Sequence, residues 1–332
     1  MRCQIFLSLP LLALGSLLPV CFGDGPDESK FTRARQREYH GLNVQQEGTW
    51  KGPFFFMQLA DTQYGMFSGN TDVAEEVELV VRTVAHINRL QPRFVIVCGD
   101  LTHAAPMSAS FGQGHAQYDR QVRQFKHDFS KVSDAIPLVC VCGNHDIGNF
   151  PNAESIASYR KHFGDDYFGF WTGGVCNLVL NSTVIKESSR AEDVYSEQGR
   201  WFREQLAGAR QSGAAHIFVF QHHPWFLETP DEPDQYFNLP LERRRTAIEV
   251  MQAAGVTAVF AGHYHRNSWG KAGDLEMITT GPVGRPLGKD PSGLRIVKVY
   301  ADRIEHRYYG LDDVPAEIAL VPDTEEPREL QQ

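Results

Sequence analysis

A layered α/β fold with partly antiparallel sheets is what this sequence predicts, on three observations. From Pro53 onward, short apolar runs alternate with stretches of helical apolar spacing, the pattern of strands joined by helices. Beyond Gly270 the apolar period shortens toward two, and short strands succeed one another with Gly and Pro turns between them. The 332 residues are 42% hydrophobic and 22% charged, which supplies a sizeable core and argues against global disorder.

Residues 1–23, MRCQIFLSLPLLALGSLLPVCFG, are of another kind. Arg2 precedes an apolar stretch from Ile5 to Val20, and small residues come after it at Cys21 and Gly23. That layout predicts a cleavable secretory signal peptide with Asp24 as the first mature residue. The apolar stretch contains Pro10 and Pro19 and is short for a membrane span. Residues 24–52 are polar and read as a leader with little core-forming power. The domain itself is expected at 53–312, with an acidic C-terminal tail at 313–332.

Within the domain, PFFFMQLA is the first strand. Asp72 and Glu75 suggest a capping box, and Val73, Val77, Val80, Val84 and Ile87 recur at helical spacing up to Leu90. FVIVCGD is a buried strand, Tyr118 to Ser130 is helix-compatible, and IPLVCVCGNHD is the next strand. Ala153 to His162 reads as a helix, VCNLVLN as a strand and Gln198 to Gln211 as a helix. HIFVFQHHP, the helix Leu241 to Ala254 and VTAVFAGHYH complete the alternating part, and LEMITT, LRIVKVYA and RIEHRYY are the closing strands. Cys98, Cys140, Cys142 and Cys176 all lie in apolar runs and read as unpaired core thiols. Asn181-Ser182-Thr183 is a glycosylation sequon at the end of an apolar run, a place where burial would prevent its use.

Several functional classes are excluded or unsupported. A net charge of −9 argues against general nucleic-acid binding. The Gly-x-Gly of FGQGHAQY has no strand before it, so it is not a dinucleotide loop, and no Gly-x-Ser-x-Gly elbow supports a serine hydrolase. The basic run Arg243 to Arg245 is expected on a solvated helix face.

The informative pattern lies at the ends of the strands. Five apolar runs end in metal-ligand residue types: Asp61 and Gln63; Asp100 and His103; Asn144, His145 and Asp146; His222 and His223; His263 and His265. Ligands of open α/β sheets collect outside the carboxyl ends of strands, so these clusters are expected to converge on one crevice. Carboxylate, amide and imidazole together suit a borderline divalent ion such as Mn, Fe or Zn. They are too many for one ion, and a shared carboxylate bridging two ions about 3.5–4 Å apart fits better.

The ordered set D-x-Q, GDLTH, GNHD, QHHP and GHYH resembles the calcineurin-like metallophosphoesterases, and WKGPFFFMQLAD, GDDYFGFW and HRYYGLD resemble a serine/threonine-protein phosphatase branch of them. The resemblance implies a four-layer α/β/β/α sandwich of two mixed β-sheets. It implies that Asp61, Gln63, Asp100 and His265 hold one divalent cation, and that Asp100, Asn144, His222 and His263 hold the other, with Mn, Fe or Zn as the ions and Mg as an alternative. It also implies a phosphomonoesterase that uses a metal-bridging hydroxide, with His145 as general acid and His103 supporting it. Asn144, His145, Arg266 and Arg285 are candidate contacts for a phosphorylated protein or small phosphoester substrate, and Asn267 is a further candidate. Two departures stand out. Gln63 replaces the usual His with a neutral amide, and His103 stands where many members place an Asp. The alternatives are a phosphodiesterase acting on nucleotides or lipid headgroups, and a metal-binding, non-catalytic homologue created by Gln63. The signal layout points to the secretory pathway or secretion, whereas the branch resemblance points to the cytoplasm.

Overall fold

The computed structural model describes residues 28–106 and 114–321. Its strands are β1 (Ala34–Arg35), β2 (Glu38–Tyr39), β3 (Phe54–Leu59), β4 (Val95–Val97), β5 (Leu138–Cys140), β6 (Phe168–Thr172) and β7 (Val175–Val179). They continue with β8 (His216–Phe220), β9 (Ala258–Ala261), β10 (Ser268–Ala272), β11 (Leu275–Thr279), β12 (Gly293–Val299) and β13 (Ile304–Gly310). The helices are α1 (Val44–Glu47), α2 (Ala74–Leu90), α3 (Gly114–Phe129), α4 (Asn144–Ile147), α5 (Ala153–Phe163), α6 (Ser182–Lys186), α7 (Glu192–Gln211) and α8 (Leu241–Ala254).

These strands form two mixed sheets. One has the order β13-β12-β3-β4-β5, with β3, β4 and β5 parallel. The other runs β1-β2-β6-β7-β8-β9-β11-β10, with β7, β8, β9 and β11 parallel. Successive side chains of a strand point to opposite faces, and here both faces are covered. Phe56, Ile96, Val139 and Val297 meet Phe170, Val179, Phe218, Phe220 and Phe260 between the sheets. Phe56 stacks on Phe94 with ring centroids 4.7 Å apart and meets Phe260 edge-on at 5.3 Å. Burial of each such ring contributes about 1.5–3 kcal/mol. Met57, Leu59, Val95, Val97 and Leu138 turn outward against α2, α3 and α5. Leu178, Val219, Val259 and Met277 turn outward against α7 and α8. The result is the four-layer α/β/β/α sandwich.

Residues 28–52 are not a leader outside the core. Phe31, Ala34 and Tyr39 are buried, β2 pairs with β6 in parallel, and the Tyr39 hydroxyl donates to the Leu138 carbonyl at 3.0 Å. A few well-spaced apolar side chains fix this segment, and Arg37 adds ion pairs to Asp165 and Asp166 and Glu47 one to Arg93, so mean polarity conceals its role. The start of the acidic tail is likewise docked: Val314 and Ile318 pack on the core between the five-stranded sheet and α2, α3 and α5, and Arg89 donates to the carbonyls of Pro315 and Ala316. The signal segment at 1–23 and residues 322–332 lie outside the described residues. At the start of α2 no capping box forms with Glu75. Asp72 accepts from the Ala74 amide at 2.9 Å, and it is Glu76 that folds back to accept from Phe67 N, also at 2.9 Å. The four cysteines are free and buried. Asn181 is buried too. It caps α6 by accepting from Val184 N and donates to Asp166 at 2.8 Å, which leaves its amide inaccessible to a glycan. No helix among the described residues is long and apolar enough to cross a membrane.

Candidate metal centre

Parallel pairing puts the carboxyl ends of β3, β4 and β5 on one edge of their sheet and those of β8 and β9 on one edge of theirs. The two edges meet at one rim of the sandwich. The Gln58 amide donates to the Ala261 carbonyl at 3.0 Å, and the His263 amide donates to Asp61 Oδ2 at 3.0 Å, so β3 and β9 are tied across the layers. Five site residues hold positive φ: Asp61 (51°), Gln63 (42°), Asp100 (51°), His263 (68°) and His265 (53°). Non-glycine residues rarely adopt this region, and strain of this kind clusters at functional sites. Two glycines permit the convergence. A Cβ on Gly99, at φ 83°, would meet the His222 ring at 2.5 Å, and a Cβ on Gly262 would lie 2.6 Å from Asp61 Oδ2.

Three imidazoles are oriented by backbone carbonyls. His222 Nδ1 donates to the Cys98 carbonyl at 2.9 Å, His263 Nε2 to that of Tyr236 at 3.3 Å, and His265 Nδ1 to that of Arg285 at 2.6 Å. Each ring therefore turns its other nitrogen inward, the arrangement that prepares histidine for a metal. His222 Nε2 lies 3.2 Å from Asp100 Oδ1, 3.0 Å from Asn144 Oδ1 and 3.1 Å from His263 Nδ1. On the other side of Asp100, His265 Nε2 is 3.4 Å from Asp61 Oδ1. The ligand atoms of Asp61, Asp100 and His265 lie within 4.8 Å of one another, as do those of His222, His223 and His263.

His223 is separated from His222 by its partner. Ser182 Oγ accepts from the amides of His222 (3.1 Å) and His223 (2.8 Å), so both lone pairs are used. Its hydroxyl hydrogen is left to donate to His223 Nδ1 at 3.1 Å. His223 is thus the Nε2–H tautomer, a neutral donor rather than an oriented ligand.

The donor set fits divalent cations. Gln63 Oε1 is buried and has no hydrogen-bond partner, an orphan acceptor of the kind that a bound ion satisfies. Asp61, Asp100 and Asp146 are buried together. Burial and the Asp100 charge push Asp146 up to about 8, and burial together with Asp100 drives Asp61 well above the carboxylate range against the pull of His222. Asp100 itself is depressed: burial opposes its charge, but His222 and His145 outweigh it. Burial disfavours charge on His222, yet the Asp100 carboxylate raises it to about 9, whereas burial takes His265 down to about 4. An excess of buried carboxylate beside inward-facing imidazole nitrogens is what cations neutralise.

His145 stands at the edge of this group. Its amide donates to Asp100 Oδ1 at 2.9 Å, and its Nε2 is 4.0 Å from Asp100 Oδ2. Its Nδ1 donates to the backbone carbonyl of His103 at 2.7 Å. The His103 ring stacks on the His145 ring at 4.9 Å, and burial holds it at about 4, so it is neutral near pH 7. The orienting acceptor is therefore main chain, and the side-chain departure at this position leaves the orientation intact. The arginines are placed less simply. Arg266 stacks over Tyr264 at 4.9 Å, and Arg285 reaches the centre through its carbonyl while its side chain is exposed. Asn267 is not free to contact phosphate, because it donates to Asp290 and accepts from Arg295.

Sequence reasoning grouped Asp146 with the metal-ligand types and missed that it and others act as supports. Asp146 accepts from the amides of Leu101 (3.0 Å), Thr102 (3.3 Å) and Gly143 (2.8 Å) and clamps two strand-end loops together. Arg244 is buried rather than solvated and donates to the carbonyls of Pro230, Glu232 and Leu239, which fixes the segment before α8. That segment carries Tyr236, whose ring lies 5.0 Å from His263 and whose hydroxyl lies beside the Asn144 amide. A Pro-rich stretch without apolar period gave no sign of this.

The profile of the calcineurin-like phosphoesterases matches residues 56–267. The chain belongs to that family. It is 42% identical over 295 residues to the serine/threonine-protein phosphatase CPPED1 of Mus musculus, covering 86% of this chain and 92% of that protein. The Homo sapiens protein of the same name is also 42% identical, over 296 residues, with the same shares. Among solved structures, a dimetal phosphatase from Danio rerio superposes with a TM-score of 0.57 at 16% identity, covering 78% of this chain and 96% of that one. A purple acid phosphatase from yellow lupin gives 0.59 at 13%, covering 81% and 53%. These last two establish likeness of fold. Family and donor set together make this a metal-dependent phosphoesterase.

Proposed function

We propose that the protein is a phosphomonoesterase of the serine/threonine-protein phosphatase type, dependent on two divalent cations drawn from Mn, Fe and Zn. The observation that carries this reading is the position of Asp100. It lies between Asp61 and His265 on one side and Asn144, His222 and His263 on the other, with His145 at its edge and the Gln63 backbone amide donating to its carbonyl at 2.9 Å. The CPPED1 relatives support the protein substrate. Asp61, Gln63, Asp100 and His265 would hold one ion, and Asp100, Asn144, His222 and His263 the other. Such ions act as Lewis acids on phosphoryl oxygens and lower the pKa of water. Asn144 directs Oδ1 at His222 and leaves Nδ2 for a phosphoryl oxygen. His145, with Nδ1–H committed to the His103 carbonyl, carries its transferable proton on Nε2, where it protonates the leaving alkoxide. General acid catalysis of this kind contributes about 10²–10⁴ in rate.

The test is hydrolysis by the Mn-loaded protein of a phosphoserine peptide, an aryl phosphomonoester and an aryl phosphodiester. The reading expects both monoesters to be cleaved well ahead of the diester, and expects His145→Gln to lower kcat by about 10²–10⁴ with metal content unchanged. A faster diester, or an inert native protein activated by Gln63→His, would contradict it. We also propose passage through the secretory pathway, on the Arg2, Ile5–Val20 and Cys21–Gly23 layout. Mass spectrometry of the mature N-terminus tests this. A start at Asp24 supports it, and an intact Met1 overturns it.

A further inference from the structure

Beside the metal centre lies a cavity of about 330 Å³ whose lining includes Phe150, Lys186, Glu187, His223, Tyr236 and Pro240. Three of these come from the segments that build the centre. Phe150 comes just after α4, which carries Asn144 and His145; His223 is next to His222; and Tyr236 lies against His263. The cavity and the phosphoryl site are therefore neighbours along one surface.

The walls have a definite chemistry. Phe150 and Tyr236 are 59% and 54% exposed. They are two of the few large apolar side chains that the described residues leave in water, and they share this one cavity. Clustered exposed aromatic groups mark binding surfaces, whereas scattered ones do not. Lys186 does not make the cavity an anion site. Its ammonium is spent on the carbonyls of Gln235 (3.2 Å), Tyr236 (2.8 Å) and Asn238 (2.6 Å), and its stem is what remains for packing. The Glu187 carboxylate adds a negative charge, and His223 presents a neutral ring with Nδ1 engaged by Ser182. The volume is at the lower end of the roughly 300–1,000 Å³ usual for ligand pockets and is ample for one aromatic side chain.

We propose that this cavity is a substrate subsite that takes the aromatic side chain of a residue flanking the phosphorylated residue of a protein substrate. The inference rests on the protein-phosphatase reading and adds to it a sequence preference. Arg190 lies over the Phe150 ring at 5.7 Å and Lys186 over the Tyr236 ring at 5.9 Å. The exposed parts of both rings are what remains for an incoming ring, while Lys186 also holds the Tyr236 segment in place through its carbonyls.

The experiment uses the full Mn-loaded protein and phosphoserine peptides that differ only in Phe or Ala next to the phosphoserine, on either side. Hydrolysis is read as kcat/KM, and binding is read by fluorescence anisotropy with non-hydrolysable phosphonate versions. The native protein is expected to favour Phe over Ala by about tenfold or more in both readouts, on one side of the phosphoserine. Phe150→Ala is expected to bring that ratio to about twofold or less. Trp269→Ala, which removes an exposed aromatic side chain of the edge strand β10, is expected to leave it unchanged. The ratio is internal to each protein, so a general loss of activity does not imitate the effect. Equal treatment of Phe and Ala peptides by the native protein overturns the subsite alone, as does a preference that survives Phe150→Ala. If no phosphopeptide is bound or cleaved while a small phosphomonoester is, the protein-phosphatase reading fails and takes the subsite with it.

Discussion

The two halves of the centre are built differently. Around His222, the atoms that would face an ion already lie 3.0–3.2 Å from its Nε2: Asn144 Oδ1, His263 Nδ1 and Asp100 Oδ1. Both imidazoles there are braced by carbonyls. On the Asp61 side, His265 is braced in the same way, and Gln63, whose backbone amide donates to the Asp100 carbonyl at 2.9 Å, has a buried neutral oxygen that nothing engages. A pre-assembled pair of imidazoles lowers the cost of ordering ligands around an ion, whereas an amide oxygen is a weaker donor than the imidazole nitrogen it replaces. On the proposed ligand assignment, the His222 half would be the firm seat and the Asp61 half the adjustable one.

Asp100 is the one side chain both halves share, so Asp100→Asn should remove the contrast by disabling them together. Both ions should be lost and kcat/KM should fall by more than about 10³, measured by metal analysis together with phosphatase assay. Retention of either ion at full affinity would show that the halves are independent. A smaller and one-sided effect is expected from Gln63→Ala. It should weaken the ion on the Asp61 side by about 10–100-fold and leave the other within a few-fold, as resolved by stepwise Mn titration. Equal weakening at both would erase the distinction. The mildest effect is in pH. The Asp100 carboxylate, against the opposing effect of burial, keeps a proton on His222 up to about pH 9, and an ion must displace it. Affinity at the His222 half should therefore rise by up to about tenfold per pH unit as pH increases toward 9, and level off above it. His265, taken down to about 4 by burial, adds no such proton competition near pH 7.

Much of this was legible in the chain because strand ends announce themselves. GDLTH, GNHD and GHYH each set a glycine before polar groups at the close of an apolar run, and the helix Leu241–Ala254 was bounded at both ends. The supports were not legible, for reasons that are physical. Arg244 is buried only because three carbonyls of a Pro-rich segment surround it, and no local pattern encodes such a partner. Phe31, Ala34 and Tyr39 anchor residues 28–52 through contacts with distant strands, which mean composition averages away. The substitution at His103 looked consequential because side chains are what a sequence displays. The acceptor that orients His145 is a backbone carbonyl, which every residue type supplies.

The proposed chemistry depends on a pair of cations on either side of Asp100. Crystals grown with Mn and measured near its absorption edge locate such ions directly by anomalous scattering. Two peaks about 3.5–4 Å apart, both in contact with Asp100, are predicted, with the peak beside Gln63 filling last as Mn is limited. A single peak, or two that do not share Asp100, would contradict it.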